Sequence, residues 1–411
     1  MRKILMLTAT LALLATACQK TEIINPMENH QGLTFTTEFG KLTKAPGANG
    51  GGMENLQYQD FRIWAYAAHD FDNTPENDAN QIYDHIENIE VFDYEVTGAT
   101  GTTIGWKAQK QYFWPGANKD LYFFAVSDTD SFLGTEGTTS ANVAIKLVRA
   151  EGDAETVKVP SLTVNNYQVD PTNPNNDLMV ANFIKQNQDQ SEKKVNLKFN
   201  HALTKVQFRF KTNEIPAGND PITVFVQKLE VGQNVTSGET TTLVGGLQNK
   251  GTLAATIKAT TAGTATTAEV STLDLNWTLQ NDLAIFTDRY TDEPSDFPTT
   301  IDGVKVEEIT GVDKSAMKLT TTDVDFATWL VLPQNVKGKK VKVTYLINGR
   351  QFSNEFALDA FDDGDNDPNT CMWAVNQYVK YTINLSPNLI TFDADVAPWN
   401  PAEGTNVNHA N

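Results

Sequence analysis

Few side chains in this sequence have the types and the spacing that catalysis or metal binding requires. The strongest candidate is an acidic run, DDGDNDPN at 362–369, where alternating Asp363, Asp365 and Asp367 could supply oxygen ligands to calcium. An EF-hand loop needs Gly after the third of these ligands and Glu at its twelfth position, where Pro368 and Ala374 stand. We therefore favour an exposed hairpin loop over a calcium site.

Motifs of known catalytic centres are absent from the sequence. The five histidines do not form an H-E-x-x-H pattern, and there is no G-x-S-x-G, P-loop or S-x-x-K signature. Carboxylates are numerous, but nothing singles out a pair for glycoside hydrolysis. Cys18 and Cys371 are the two cysteines, which excludes a disulfide framework and a zinc site built on several cysteines. The sequence therefore predicts a protein that is not an enzyme and has no cofactor.

Composition excludes further classes of partner. The 411 residues include 32 Lys and Arg against 51 Asp and Glu, a net charge of −19. Such acidity argues against nucleic acid as a partner and against docking on anionic lipid by charge. A hydrophobic content of 40% suits a globular core, and the length suggests two or three domains.

The N-terminus has the pattern of an export signal. Residues 1–17 join a basic start to a short apolar run, which is too short to span a bilayer. Leu14 to Cys18, LATAC, resembles a bacterial lipobox, with Ala15 where Leu is usual. We expect cleavage before Cys18 and acylation of that residue, palmitate included, with residues 18–32 as a polar tether. Several acyl chains would anchor the protein firmly in the outer membrane.

Alternating apolar and polar residues dominate the rest of the chain, which predicts strands. The first strand is 33–39, and the Gly-rich stretch 40–53 that follows it is an exposed loop that proteases can cut. One short segment, 80–89, has helical spacing of Ile82, Ile86 and Ile89. The predicted fold class is all-β, with β-sandwiches and few short helices. Further predicted strands are 61–67, 111–114, 121–126, 143–148, 178–183, 195–199, 206–210, 222–231 with a bulge, 341–347, 379–385 and 390–396.

Several motifs in chain order resemble the fimbrillin family, the lipoprotein pilins of type V pili. They are the lipobox before LTFTTEF, QYFWP at 111–115 followed by LYFFA at 121–125, DLMVA at 177–181, VNLKFNHALTKV at 195–206, and Trp373, Asn376 and Tyr381 near the end. Asn376 stands where the family commonly has Gly. In that context His201 is a packing and turn-forming residue.

The resemblance implies two transthyretin-like Greek-key β-sandwich domains in tandem. The N-terminal domain would span 33–190 and the C-terminal domain 191–411. It also implies maturation by a trypsin-like protease that cuts the loop after the first strand. Loss of that strand opens a groove, which a strand of another subunit fills.

Carried onto this sequence, the departing anchors are Leu33, Phe35 and Phe39. The preferred cut is Lys44–Ala45, and the second choice is Lys41–Leu42. The donor candidate lies within 388–411, where Ile390, Phe392, Ala394 and Val396 alternate with polar residues. The same residues could instead be the closing strand of the C-terminal domain.

The resulting prediction is an adhesive fimbrial subunit at the cell surface, whose partners are other fimbrial subunits in a homo- or hetero-polymer. Host or bacterial surface glycans or proteins are further candidate partners. Two alternatives stay open: a tip or anchor subunit of the pilus, and a glycan-binding surface lipoprotein that does not polymerise. The seven tryptophans could serve as sugar platforms, but their place in apolar strand patterns favours core packing.

Overall fold

The protein is described here from a computed structural model. It describes residues 33–39, 61–67, 85–97, 103–108, 114, 120–127, 142–149, 158–172, 177–190, 194–213, 222–310, 312–358, 371–386 and 390–398.

Strands form almost all the regular structure of these residues. Their bounds in chain order are β1 (Thr34–Phe39), β2 (Phe61–Ala67), β3 (His85–Thr97), β4 (Thr103–Ala108), β5 (Leu121–Ser127), β6 (Val143–Arg149), β7 (Lys158–Gln168), β8 (Met179–Ala181), β9 (Phe183–Gln186), β10 (Lys194–His201), β11 (Thr204–Lys211), β12 (Val224–Ser237), β13 (Thr240–Val244), β14 (Leu247–Gln248), β15 (Lys250–Thr261), β16 (Glu269–Leu279), β17 (Leu283–Ala284), β18 (Phe286–Arg289), β19 (Thr300–Ile301), β20 (Val304–Lys305), β21 (Met317–Lys318), β22 (Val324–Val331), β23 (Gln334–Asn335), β24 (Lys339–Ile347), β25 (Arg350–Ala357), β26 (Met372–Trp373), β27 (Gln377–Leu385) and β28 (Ile390–Pro398).

The all-β prediction is confirmed, but the helical prediction for 80–89 is wrong over 85–89. Those residues begin β3, which pairs antiparallel with β2 through Ile63 and Ile89. Isoleucine has a branched Cβ and favours strands, and the pairing partner β2 overrides a local three-to-four-residue spacing. A short 3₁₀ turn lies at Val306–Glu308. No helix of the described residues is long and apolar enough to cross a membrane.

The largest sheet has twelve strands and begins with β1. Its main path runs β1-β10-β8-β5-β9-β16-β15-β7-β6, and β2, β3 and β4 join it through β5. The β15–β16 hairpin thus lies between β9 and β7, although it follows them by many residues in the chain. This sheet therefore contains strands from both sides of residue 191.

Two further sheets pack on one another as a sandwich. One has the order β22-β11-β27-β28, and the other is built on β13-β12-β24-β25. Side chains from both, such as Phe208 and Tyr381 from the first and Val343 and Tyr345 from the second, belong to one buried cluster. The bulge predicted within 222–231 is confirmed, since the β12–β24 register shifts between Val226 and Lys228.

Strand β5 is apolar at successive positions because both of its faces are buried. Phe124 and Val126 belong to the large core cluster, whereas Phe123 and Ala125 belong to a second cluster on the opposite face. A strand that is covered on both faces loses the usual alternation of apolar and polar residues. The second cluster is the one that β1 helps to close.

Candidate assembly site at the first strand

Strand β1 lies at one end of the twelve-stranded sheet. It pairs in parallel with β10, from Thr34 opposite Lys194 to Phe39 opposite Phe199. Among the strands that the structure describes, β10 is its sole hydrogen-bonding neighbour. A strand held along one edge can leave without breaking the ladder between the remaining strands.

The apolar side chains of β1 are buried in the second cluster. Leu33 is 8% exposed and Phe35 is 5% exposed, and the Phe35 ring meets Phe123 edge-on at 6.3 Å. On β10, Val195, Leu197 and Phe199 bury their side chains in the same cluster, while the residues between them are exposed or partly exposed. Removal of β1 would therefore leave an apolar groove beside an unpaired strand edge.

The structure brings Leu33 and Phe35 into this cluster, and it gives the backbone pairing of Phe39. Other predicted site residues lie outside the described residues. These are the lipidation site Cys18, the cleavage pairs Lys44–Ala45 and Lys41–Leu42, the calcium candidates Asp363, Asp365 and Asp367, and the tail after Pro398.

The donor candidate is an end strand in its own sandwich. β28 pairs antiparallel with β27 along its whole length, from Leu385 opposite Ile390 to Gln377 opposite Pro398. Its apolar residues Ile390, Phe392, Ala394 and Val396 are half-buried against the large core cluster.

Aromatic stacking holds the middle of β28 in place. The Phe392 ring stacks on Phe356 of β25 at 5.3 Å and on Tyr381 of β27 at 5.1 Å. Tyr381 also accepts a hydrogen bond from the indole of Trp373 at 3.0 Å. β28 thus pairs with β27 in its own sheet and contacts the edge strand β25 of the other sheet.

Two motif residues form a buried polar pair that the sequence did not reveal. His201 Nδ1 lies 2.6 Å from Asp177 Oδ2, and the two side chains are 2% and 0% exposed. Asp177 comes from the DLM motif and His201 from the HAL motif. The presence of both motifs in one chain was the signal from which this contact could have been predicted. The Ser127 hydroxyl donates to the Asp177 carbonyl and accepts the Met179 N–H, at 2.9 and 2.7 Å. Because these backbone groups engage Ser127, the three residues form a structural network and not a nucleophile with its base.

Lys205 lies near this pair, at the start of β11. Its ammonium group sits 4.7 Å from the centre of the Tyr378 ring. Burial lowers the pKa of Lys205 to about 8, and it does so against the opposing effect of the negative charges of Asp177 and Asp325. Lys205, Asp177 and His201 thus lie close to the point where the chain leaves β10 of the twelve-stranded sheet and enters β11 of the sandwich.

The described residues contain no group of three His, Cys, Asp or Glu side chains that could hold a metal ion. Trp64, Trp114, Trp329 and Trp373 are buried, as is the free thiol of Cys371. These four tryptophans pack in the core, so they are not available as sugar platforms.

Comparison with known proteins identifies one family. The sequence model of the fimbrillin-like family matches residues 55–399. A search of curated proteins finds no significant match.

Solved structures that resemble the chain include proteins from Bacteroides and Parabacteroides species. One is a fimbrial protein from Bacteroides vulgatus, 16% identical over 90% of this chain and 99% of that chain, with a TM-score of 0.43. Another is a putative cell adhesion protein from Bacteroides uniformis, 14% identical over 90% and 98%, with a TM-score of 0.41. A fimbrial assembly protein from Parabacteroides distasonis is 8% identical over 90% and 99%, with a TM-score of 0.34.

Proposed function

Since the chain belongs to the fimbrillin-like family, we propose that it is a structural and adhesive fimbrial subunit that assembles by donor-strand exchange. It reaches the cell surface as a lipoprotein acylated at Cys18. A protease cuts after Lys44, or after Lys41, and β1 then leaves. A strand of the next subunit takes its place, so the partners are other fimbrial subunits.

The observation that carries the proposal is the position of β1. It is an end strand, it pairs with β10 alone among the described strands, and it buries Leu33 and Phe35 in a cluster that extends over the sheet. Each of these two side chains contributes about 1.5–3 kcal/mol when fully buried. A replacement strand must supply the same apolar side chains and the same backbone hydrogen bonds.

The proposed donor is β28. Ile390, Phe392, Ala394 and Val396 alternate with polar residues and are half-buried in its own sandwich. Their spacing of two residues matches the spacing of side chains on one face of a strand. The closing-strand interpretation predicts the same alternation, so a deletion has to separate the two.

The division into two tandem transthyretin-like domains, 33–190 and 191–411, is part of the proposal. In this arrangement the β15–β16 hairpin of the second domain completes the sheet of the first.

Limited trypsin digestion of the protein starting at Gln19 tests the proposal. We expect cleavage within 40–53 and the appearance of ladders that resist SDS, detected by electrophoresis and size-exclusion chromatography. A Lys41→Gln, Lys44→Gln double variant is the matched control and should stay monomeric. Cleaved protein that remains monomeric would contradict self-assembly and would direct the next experiment to a tip or anchor role, or to glycan binding.

Deletion of 388–411 distinguishes the two roles of β28. A folded monomer that no longer polymerises supports the donor role, whereas an unfolded product supports the closing-strand role.

A further inference from the structure

The β15–β16 hairpin lies in the twelve-stranded sheet, whose other strands, β1–β10, all come from an earlier part of the chain. We refer to residues 33–201, which contain β1–β10, as the N-terminal half, and to residues 204–398 as the C-terminal half. The hairpin belongs to the C-terminal half in chain order. Both of its outer edges, however, pair with strands of the N-terminal half.

The pairing is extensive on both sides. β16 pairs with β9 through Glu269, Val270 and Ser271. β15 pairs with β7 from Lys250 opposite Gln168 to Ala255 opposite Leu162. On the main path of the sheet, β6 and β7 reach the other strands of the N-terminal half through this hairpin.

The tip and the base of the hairpin are also fastened to the N-terminal half. At the tip, the Gln190 amide donates to the Thr264 carbonyl at 2.7 Å. At the base, the Val169 N–H donates to the Asn249 carbonyl at 2.8 Å, and the Gln280 amide donates to Asn166 Oδ1 at 3.1 Å.

One side chain of the hairpin contacts the link between the halves. The Trp277 indole N–H donates to the Ala202 carbonyl at 2.7 Å, and Ala202 lies between β10 and β11. The Trp277 ring also lies 5.9 Å from that of Tyr167. Ala202 donates its own N–H to Leu178, and Leu203 accepts the N–H of Asn376, so the link is held by both halves.

We propose that the β15–β16 hairpin is a clasp that makes the two halves unfold as one cooperative unit. Chains of this length commonly unfold in separate domain steps, because interfaces between domains are weaker than their cores. Here the N-terminal half cannot keep its sheet intact without a segment of the C-terminal half. Loss of structure in either half therefore removes packing from the other.

The clasp has a consequence for the proposed strand exchange. The edge that β1 vacates and the hairpin belong to the same sheet. Tensile force on a strand inserted at that edge is then carried by two connections between the halves. One is the chain itself at residues 202–203, and the other is the set of backbone hydrogen bonds that join the hairpin to β7 and β9. This consequence rests on the proposed function, whereas cooperative unfolding does not.

Urea unfolding of the protein starting at Gln19, followed by hydrogen–deuterium exchange and mass spectrometry, tests the clasp. Peptides from β5 and β10 report on the N-terminal half, and peptides from β24 and β27 report on the C-terminal half. In the unmodified protein we expect the two sets to lose protection at one shared urea midpoint. Two separate midpoints in the unmodified protein would overturn the proposal, whatever the outcome of any assembly experiment.

Variants of the hairpin sharpen this test. Val270→Pro breaks the hydrogen bonds of β16 to its neighbours β9 and β15. Trp277→Phe removes the hydrogen bond to Ala202 and keeps an aromatic ring beside Tyr167. Both should lower the midpoint of the N-terminal half below that of the C-terminal half, the first more than the second. Trp373→Phe is the matched control, because its indole N–H bonds to Tyr381 inside the C-terminal half. It should shift both midpoints together, and clasp variants that do the same would contradict the proposal.

Discussion

The carboxylate of Asp177 and the imidazole of His201 meet at 2.6 Å in the interior of the protein. Asp177 lies just before β8, and His201 is the last residue of β10, so the contact joins these two paired strands. The chain enters the sandwich directly after His201. Each side chain gives the other a polar partner where water is excluded.

We expect Asp177→Ala to lower the free energy of unfolding by about 1–3 kcal/mol, because it removes the carboxylate that His201 Nδ1 contacts in the protein interior. The exposed pair of Lys258 and Asp274, at 3.4 Å, provides the control. Asp274→Ala should cost less than about 1 kcal/mol. Urea denaturation measures both, and equal effects would show that the buried pair is not a stabilising contact.

Asn376 adopts a backbone conformation that explains the family pattern around it. Its φ is 58°, in the left-handed region where Gly is favoured and Asn is tolerated. Asn376→Gly should change the melting temperature little, whereas Asn376→Val should destabilise the protein by about 1–3 kcal/mol. The two substitutions differ chiefly in backbone freedom, and thermal unfolding compares them directly. A tolerated Val would mean that the turn rearranges.

Much of the strand pattern was predictable because burial on one face leaves a period of two in the sequence. Thus 61–67 and 390–396 became β2 and β28, and the shift of parity after Val226 became a bulge. The helical spacing of Ile82, Ile86 and Ile89 was misleading. Local spacing does not show which strand the segment pairs with.

The strands that pair with one another over long distances in the chain were not predictable, because local spacing does not specify the pairing partner. The stretch 254–272, which is rich in Ala and Thr, forms much of the β15–β16 hairpin and its exposed tip. Nothing local in it specifies insertion between β9 and β7. The contact of Asp177 with His201 likewise depends on pairing of β8 with β10. For the assembly site, alternation over 33–39 predicts Leu33, Phe35 and Phe39 on one face of the first strand, and the structure buries Leu33 and Phe35.

Asp288 should make stability depend on pH. Burial raises its pKa to about 6 from the ordinary value of 3.8, although the Trp329 indole donates to it at 3.4 Å. The folded state therefore binds its proton more tightly than the unfolded state. This contribution to stability is complete below pH 4 and is lost as the pH rises through 6.

Asp288→Asn removes this dependence and keeps an acceptor for the indole. At pH 7 the variant should be more stable than the unmodified protein by about 1–2 kcal/mol, and near pH 3.5 the difference should vanish. Urea denaturation across this pH range gives the difference curve. A constant difference would contradict the raised pKa.

Phe356 allows the hold on β28 to be weakened without changing the sequence of β28. Phe356→Ala removes the ring that stacks on Phe392. If β28 is the donor, trypsin-cleaved protein should polymerise faster, because the strand leaves its own sheet more readily. Size-exclusion chromatography over time measures the rate.

Phe352→Ala is the matched control for this prediction. Phe352 lies on the same strand, is 40% exposed and stacks on Tyr345. It should leave the polymerisation rate unchanged. Equal rates for Phe356→Ala and the unmodified protein would favour the closing-strand role of β28.

The N-terminus of the assembled polymer tests the central claim most directly. Polymer isolated from the cell surface should begin at Ala45, or at Leu42, when its subunits are sequenced by mass spectrometry. Residues 33–39 should then be absent, because a strand from a neighbour occupies the edge of β10. Polymer whose subunits still begin at Cys18 would contradict the exchange of β1.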